Sequence, residues 1–329
     1  MKRILCLLLA LMLMLPVAGY GEEAPEGALY RGKMHRNTGM RHEPTQNSKY
    51  DAVAPEGESV YILEYGADWC YCSYEGNTGW LMTDRISELW RVSDEPLPGW
   101  IPMAGVACIT KETQVRLSNY SGNTLLPGYI VSAINEQGEI PMMRSTTQLE
   151  EGSFTFMPFV SAEESRPGDL LYAFTTWYNN RTGSEKGSDL ARGRRKNIAL
   201  GIERVDGTVI AAGDQFSFND LCAPYAGGNG YVRAPNISVE GVGVAGGVCQ
   251  ISTTMFEALL GLNGLRLDEW HIHRYTGVNY APQNYDCAVS TSKDFVFTNT
   301  YDFPITVQVV AQEGALTVLY FHAEDDSTV

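Results

Sequence analysis

The stretch Ala245-Gly246-Gly247-Val248-Cys249-Gln250-Ile251-Ser252-Thr253-Thr254-Met255 decides the fold of the C-terminal part of the chain. Its apolar residues continue with Leu259 and Leu262 at the spacing of one helix face. Asn263-Gly264 then forms a typical helix stop. The pattern predicts a buried helix that begins directly after two glycines, with Cys249 in its first turn.

This position gives Cys249 a physical reason to be reactive. The free N–H groups and the positive end of the dipole at a helix N-terminus stabilise a thiolate. Gly246 and Gly247 allow a sharp turn and the close approach of another chain segment. Gln250 and Ser252 could contribute to an oxyanion site or only satisfy helix N–H groups.

A cysteine nucleophile also needs a base and a group that orients the base. His271 and His273 follow within twenty-five residues of Cys249, and Asp286 comes later. Alternation places both histidines on one face of a predicted strand, so one could act as the base and the other support it. The order Cys, His, Asp resembles the layout of transglutaminase-like and papain-type enzymes.

Three other interpretations stay open for these residues. Cys249 could form a disulfide with Cys287 or Cys222, because exported cysteines are more often bridged than catalytic. The histidines could be core residues, and Asp286 could cap a turn. A zinc site built from His271, His273, Asp286 and Cys249 ranks below the thiol interpretation, so no metal or cofactor is expected.

The first residues have the pattern of a signal peptide, assigned to residues 1–21. Lys2 and Arg3 precede an apolar run, Ile4 to Val17, that is too short to span a bilayer comfortably. The protein is therefore expected to be secreted, extracellular and associated with the cell wall. An uncleaved N-terminal anchor is the minority interpretation, and no later segment is apolar enough for a stable membrane span.

Charge and cysteine content narrow the choice of partners. Removal of Lys2 and Arg3 changes the formal charge from −15 to −17, which argues against a nucleic-acid partner. The one basic cluster, Arg192 to Lys196, is interpreted first as a solvated helix start.

Six cysteines remain after the predicted signal peptide, enough for three disulfides, and their connectivity cannot be read from the sequence.

Short alternating runs follow the signal peptide and predict a small β barrel. Tyr61 to Leu63 and Trp69 to Tyr74 are predicted strands, and Glu75-Gly76-Asn77 is a tight turn into a strand that ends at Met82. Together with the segments 39–44 and 55–60, residues 28–92 resemble a bacterial SH3-type domain. A second, weaker copy is predicted over 105–165, after the proline-rich linker Asp94 to Pro102.

The SH3-type resemblance implies binding to cell-wall peptides. Trp69 and Trp80 are the candidate binding residues of this first domain. The alternative is that Trp69, Trp80 and Tyr74 fill the core of a small barrel. We expect most of these aromatic side chains to be core, with one or two lining a groove.

The C-terminal half begins near Asp169 with a change of pattern. Asn197 to Val205 is a predicted helix that ends at Asp206-Gly207, and Phe216 to Asn219 alternates like a strand. Further ordered motifs are Gly213 to Asn219, Gly230-Tyr231, Gly246 to Thr254, the His271/His273 pair, Tyr280-Ala281-Pro282, Asp286 to Val289 and Phe295 to Asn299.

These motifs resemble the VanW family over residues 170–322, within a domain placed at 169–325. The family usually has a glycine where Ala245 stands, and its pattern favours His273 over His271 as the base. The predicted architecture is α+β: one or two SH3-like barrels, then a VanW-like domain whose cysteine-bearing helix packs on antiparallel strands. The family is associated with vancomycin-resistance clusters, which gives a context and not a reaction.

Two classes of function are compatible with the sequence. In the first, the protein is an envelope thiol hydrolase or acyltransferase that acts on amide bonds of peptidoglycan stem peptides. Cys249 would attack, His273 would move the proton, and Asp286 would orient the imidazole. In the second, it is a non-catalytic accessory protein that binds the wall or a wall precursor.

Overall fold

The structure is a computed structural model that describes residues 24–324, except 67, 94–100, 116–122, 143–144, 179–184, 238–240, 274–277, 282–284 and 313. The predicted signal peptide, 1–21, and most of the predicted linker, 94–100, lie outside the described residues. None of the helices in the described ranges is both long and apolar enough to cross a membrane.

The N-terminal region is built from seven strands. They are β1 (Tyr30–Met34), β2 (Thr38–Arg41), β3 (Tyr50–Ala54), β4 (Ser59–Glu64), β5 (Trp69–Tyr74), β6 (Asn77–Met82) and β7 (Ile86–Arg91). The predicted strand at 69–74 and the tight turn after it are confirmed. Glu75 and Gly76 both have positive φ, at 47° and 76°, as a two-residue hairpin requires.

The predicted closure of this region into a small barrel is wrong. The seven strands belong to an open sheet of ten strands, which continues from β7 to β20 (Leu265–Glu269), β21 (Val296–Asn299) and β17 (Gln215–Ser217). The edge strand β7 pairs with β20 at Leu89 and Leu267. Because β7 already pairs with β20, the sheet does not have to close by pairing β7 with β3. Within the described residues no sheet closes into a barrel.

The middle region contains seven further short strands. They are β8 (Gly105–Ile109), β9 (Thr113–Val115), β10 (Asn123–Leu125), β11 (Ile130–Ala133), β12 (Glu139–Pro141), β13 (Thr146–Gln148) and β14 (Phe154–Pro158). They form one three-stranded sheet, β11-β8-β14, and two hairpins. Their core includes Trp177 and Ala315 of the C-terminal region. That 105–165 is a second copy of the first domain stays a prediction.

The C-terminal region carries the three α-helices of the described residues. Its strands, besides β17, β20 and β21, are β15 (Leu170–Trp177), β16 (Thr208–Ile210), β18 (Arg233–Pro235), β19 (Val242–Val244), β22 (Ile305–Gln312) and β23 (Ala315–His322), and its helices are α1 (Glu185–Val205), α2 (Phe218–Cys222) and α3 (Val248–Leu259). A four-stranded antiparallel sheet, β15-β23-β22-β16, lies against α3. Mostly β structure with three helices agrees with the α+β expectation.

The cysteine-bearing helix α3 packs on this sheet as predicted. Tyr320 of β23 donates its hydroxyl to the Met255 carbonyl at 3.2 Å, and Thr176 of β15 shares a hydrogen bond of 2.7 Å with Thr254. Met255 is fully buried. These contacts fix α3 along its length, so the residues of its first turn have a defined position.

Three predicted boundaries in this region need correction. The helix α1 ends at Val205 as expected but begins at Glu185, so the basic cluster Arg192 to Lys196 lies inside the helix and not at its start. The predicted strand at 216–219 stops at Ser217, because the Ser217 hydroxyl caps α2 by accepting from Asp220 N. The helix α3 ends at Leu259, before Leu262.

The N-terminal sheet contacts the C-terminal region through specific polar bonds as well as through β7. Arg91 donates to the Leu260 carbonyl just after α3 at 2.6 Å. Trp270 donates its indole N–H to the Tyr65 hydroxyl at 2.5 Å, and the Tyr65 and Tyr285 rings lie 6.2 Å apart. The two regions therefore share one continuous core.

Replacing Arg91 tests this junction. We expect Arg91→Ala to lower the free energy of unfolding by about 1–3 kcal/mol, because the Leu260 carbonyl loses a charged donor. Chemical denaturation measures the loss. The matched control is Arg166→Ala, since Arg166 is exposed. Equal stability of the two variants would contradict a structural role for the Arg91 contact.

Candidate functional site

A tight turn before α3 sets the position of Cys249. Gly247 caps the helix with φ of 105°, and Ala245 also has a positive φ, 62°. A Cβ on Gly246 would lie 2.4 Å from the Pro235 carbonyl oxygen, so only glycine fits there. Asn197 of α1 holds the turn by donating to the Gly246 carbonyl at 3.0 Å. The two glycines thus allow a turn and a close approach, as expected.

Cys249 is half-buried in the first turn of α3 and is a free thiol. Its Sγ lies 3.4 Å from the Val289 carbonyl oxygen. The six cysteines of the described residues are all free, so neither Cys287 nor Cys222 forms a disulfide with Cys249 in the structure.

Cys249, His273 and Asp286 form one chain of interacting side chains. The Asp286 Oδ2 atom accepts from His273 Nδ1 at 2.5 Å and from the His273 backbone N–H at 2.8 Å. The His273 side chain also interacts with Cys249, which is among the groups that raise its pKa. Since Nδ1 is held by Asp286, Nε2 is the ring nitrogen left to exchange a proton with the thiol. The three residues selected from the sequence are therefore brought together in the order nucleophile, base and orienting acid.

The electrostatics of this chain favour a protonated imidazole. Burial of His273 opposes its charge, but the hydrogen bonds to Asp286 and Cys249, with the negative charge of both partners, outweigh that effect and raise the pKa of His273 to about 9. The Asp286 side chain is only 2% exposed and the His273 side chain 13%. The imidazole is therefore cationic at neutral pH and can return a proton to a leaving group.

His271 does not join this chain. Its side chain is hydrogen-bonded to Glu269 at 2.8 Å and is 35% exposed. The strand β20 ends at Glu269, so the predicted shared strand face of His271 and His273 is wrong. The backbone of His271 does support the site, because its carbonyl accepts from Ala288 N at 2.6 Å and so aligns the segment of Asp286 beside His273.

Gln250 and Ser252 are fully buried and have other partners. Gln250 accepts from Arg194 at 2.7 Å and donates to the Thr176 hydroxyl at 3.0 Å. Ser252 donates to the Cys287 carbonyl at 2.7 Å. Both arrangements favour the structural alternative over an oxyanion role: Gln250 holds an arginine, and Ser252 holds the segment that carries Asp286.

Four site residues were missed by the sequence reasoning: Arg194, Asn197, Thr253 and Tyr280. The Arg194 guanidinium lies over the Tyr280 ring, 5.9 Å from its centroid. Thr253 accepts from Cys287 N at 3.0 Å. Arg194 and Asn197 are three residues apart on α1, so helical spacing around the buried Ile198 was the signal that could have found them.

A buried acid lies further along the same helix. Glu257 is fully buried, and neither of its carboxyl oxygens has a hydrogen-bond partner among the described residues. Burial, and then the charge of Asp286, raise the pKa of Glu257 well above its usual range. This side chain is therefore a neutral acid in the core behind the site.

The two predicted binding residues of the first region lie outside its core. Trp69 and Trp80 are half-buried, and the Trp80 ring lies 5.3 Å from that of Tyr71. Tyr74 packs against the core, as expected for part of this aromatic set, and the two half-buried tryptophans are the ones left to line a groove. Part of each indole is accessible, and wall binding by Trp69 and Trp80 stays a prediction.

The zinc interpretation finds no geometric support in the part of the chain that the structure describes. There, no three His, Cys, Asp or Glu side chains are grouped in a way that could hold a metal ion. His271 in particular is held by Glu269 and not by Cys249, His273 or Asp286.

Comparison with known proteins shows that the part of the chain that carries the site is similar to a known sequence family. Residues 193–321 match the family described as VanW like protein. The chain is also similar to the uncharacterized protein YoaR of Bacillus subtilis (strain 168), at 32% identity over 158 residues, which are 47% of this chain and 48% of that protein. The match thus spans about half the length of this relative. No solved structure matches the chain.

These matches confirm the VanW-like resemblance over the part of the chain that carries Cys249, His273 and Asp286. They do not test the SH3-type assignment of the N-terminal region, which stays a prediction. Cys249, His273 and Asp286 lie within the family match at residues 193–321, whereas Trp69 and Trp80 lie outside it.

The raised pKa of His273 predicts a pH dependence of stability. The folded-state pKa of about 9 exceeds the unfolded value of about 6.5, so the stabilisation is complete below pH 6.5 and is lost as the pH rises through 9. The loss is at most about 3 kcal/mol. We expect the unfolding free energy to fall less over this range in His273→Asn than in the unsubstituted protein. His35→Asn is the control, because His35 is exposed.

Parallel pH profiles for the unsubstituted protein and His273→Asn would contradict the proposed charge of the imidazole.

The strained turn predicts a stabilising substitution. Ala245 has φ of 62°, a conformation that costs about 1–2 kcal/mol for an L side chain, whereas glycine costs about 0.4–1 kcal/mol of chain entropy. We expect Ala245→Gly to stabilise the protein by up to about 1 kcal/mol in thermal unfolding. Ala226→Gly, at an ordinary φ of −133°, should instead destabilise it. If Ala245→Gly and Ala226→Gly lower the stability equally, the backbone at Ala245 is not strained.

Proposed function

We propose that this protein is an exported cell-envelope enzyme that uses Cys249 to hydrolyse or transfer amide bonds of peptidoglycan stem peptides. The observation that carries the proposal is the His273–Asp286 pair, hydrogen-bonded through Nδ1 and interacting with Cys249 in the first turn of a buried helix. The similarity to VanW like proteins and the signal-peptide pattern supply the envelope and vancomycin-resistance-associated context.

The reaction would proceed through a thioester. The Cys249 thiolate attacks the amide carbonyl carbon, and the carbonyl electrons move to oxygen. When the C–N bond breaks, the cationic His273 gives its proton to the leaving amine and becomes neutral. A water molecule or an acceptor amine then attacks the thioester and passes a proton to His273. The thiolate leaves, and the site returns to its first state.

Asp286 has two tasks in this scheme. It fixes the imidazole through Nδ1, which leaves Nε2 for proton exchange with the sulfur, and it stabilises the positive charge of His273. Its bond to the His273 backbone N–H adds a second anchor. Because Asp286 is buried, its charge acts with little screening by water.

The start of α3 offers a donor for the developing oxyanion. Val248 N and Gln250 N are engaged by the Ala245 and Gly247 carbonyls. Cys249 lies between them in the first turn of α3, where a backbone N–H has no intrahelical acceptor. A donor on the nucleophile's own residue, at the positive end of a helix, suits an oxyanion that forms beside the sulfur. This N–H replaces the side chains of Gln250 and Ser252 as the candidate donor.

Wall binding would come from the N-terminal region in this proposal. Trp69 and Trp80 present part of their indole surface on the sheet that joins the domain of the thiol site. Aromatic side chains of this kind provide large contact areas for peptide or sugar groups. Binding of peptidoglycan through these two residues would bring stem peptides near the domain that carries Cys249.

Alkylation of Cys249 tests the thiol directly. We expect iodoacetamide to modify Cys249 at neutral pH faster than Cys108, a half-buried free thiol whose pKa is raised by burial. The two sites are followed separately by peptide mass spectrometry. In His273→Asn the rate at Cys249 should fall towards that at Cys108, because the imidazolium partner is lost. An equal rate at both thiols, or a disulfide at Cys249 in the exported protein, would overturn the proposal.

Processing of wall peptides tests the reaction. Cys249→Ala should abolish processing and leave wall binding intact, and Asp286→Asn should lower the rate by roughly 10²–10⁴. Cys108→Ser is the matched control and should keep full activity. If Cys249→Ala retains all wall-related activity, the chain is a binding protein and the enzyme proposal fails.

A further inference from the structure

Arg194 packs against the turn that presents the thiol. Its aliphatic stem passes over Gly247, where an added Cβ would lie 2.8 Å from Arg194 Cγ. Its Nη2 donates to Gln250 Oε1 at 2.7 Å, and its guanidinium lies over the Tyr280 ring. The Tyr280 hydroxyl interacts electrostatically with both Arg194 and Cys249. The guanidinium is therefore fixed beside the thiol by neutral partners.

Arg194 also lacks a counter-charge. The chain carries 39 acidic residues against 24 basic ones, yet Arg194 forms no ion pair with any described residue. On the same helix, Arg192 does pair with Asp189. The Nη1 and Nε groups of Arg194 have no hydrogen-bond partner in the described ranges. A half-buried guanidinium that is held through Nη2 can use its Nη1 and Nε donors to bind an anion.

We propose that Arg194 is a specificity-determining residue that binds a free carboxylate of the peptide substrate, next to the carbonyl attacked by Cys249. This inference rests on the proposed function and adds the substrate feature that the site selects. Stem peptides of the wall carry carboxylates, and an arginine binds a carboxylate through two parallel N–H donors. Gln250 and Tyr280 hold the guanidinium plane, so its direction is set before the substrate arrives.

The neutral partners explain why this site favours an anion. A carboxylate partner within the protein would cancel the charge of Arg194 before a ligand could bind. Gln250 instead uses its buried amide, which is held in turn by Thr176. The acidic surface of the chain repels anionic peptides in general, so a guanidinium held in place near the thiol gives selectivity at the point of reaction.

The test compares two synthetic stem peptides that differ only in one group, a free carboxylate or the corresponding carboxamide. Calorimetry on full-length Cys249→Ala measures binding without turnover. We expect the carboxylate peptide to bind about tenfold to a hundredfold more tightly. Adding Arg194→Gln should reduce that ratio to about one, and Arg194→Lys should restore part of it. Arg192→Gln, an exposed change on the same helix, should leave the ratio unchanged.

The outcomes separate this inference from the proposed function. Equal binding of the two peptides to Cys249→Ala, or a ratio that persists in Arg194→Gln, overturns the role of Arg194 while Cys249 alkylation and turnover stand. A carboxylate preference that depends on Arg194, in a protein whose Cys249 does not react, supports the role of Arg194 and overturns the enzyme. With Cys249 present, Arg194→Gln should raise KM for the carboxylate peptide and not for the carboxamide. A purely structural role would change both.

Discussion

The close contact of Gly246 with the backbone of β18 is the constraint on which the site depends. The carbonyl oxygen of Pro235 lies where a Cβ at Gly246 would stand, so the turn can sit against β18 only without a side chain. Gly247 then reverses the chain at a positive φ and lets α3 begin at once. A larger residue at either position would push the first turn outwards. Cys249 would move with it, away from the imidazole.

The position of Asp286, and through it that of His273, also depends on α3. Ser252 and Thr253 bind the backbone of Cys287, directly after Asp286. The carbonyl of His271 binds Ala288 and brings the two segments into register. One helix thus positions the nucleophile through its backbone and the acid through its side chains. A shift of α3 therefore moves Cys249 and Asp286 together, so that the distance between them changes little.

The sequence predicted those parts of the site that follow from local pattern. Two glycines before an apolar helical repeat place Cys249 in a first turn, and few residues after it can serve as a base. His273 and Asp286 were chosen on these grounds, and the structure brings them together. The role of His271 could not be predicted the same way. Its direction depends on where β20 ends, which is decided by pairing with β21 and β7.

Long-range pairing also explains the other differences between prediction and structure. The strands of the first region alternate in the way that is typical of a small barrel. Whether the edge strand β7 pairs within its own region or with β20 depends on distant residues such as Leu267. Arg194 stands in a run of basic residues that look equivalent in the sequence. Only the packing of α1 against the glycine turn shows which of them faces inwards.

The ten-stranded sheet has a consequence for how such a chain can evolve. Modules joined by a linker can be exchanged between proteins, because a cut in the linker exposes little new surface. Here a cut between the first and last regions would uncover the edge of β20 at Leu267 and the partners of Tyr65, Trp270 and Tyr285. The two regions are therefore expected to be inherited together as one unit.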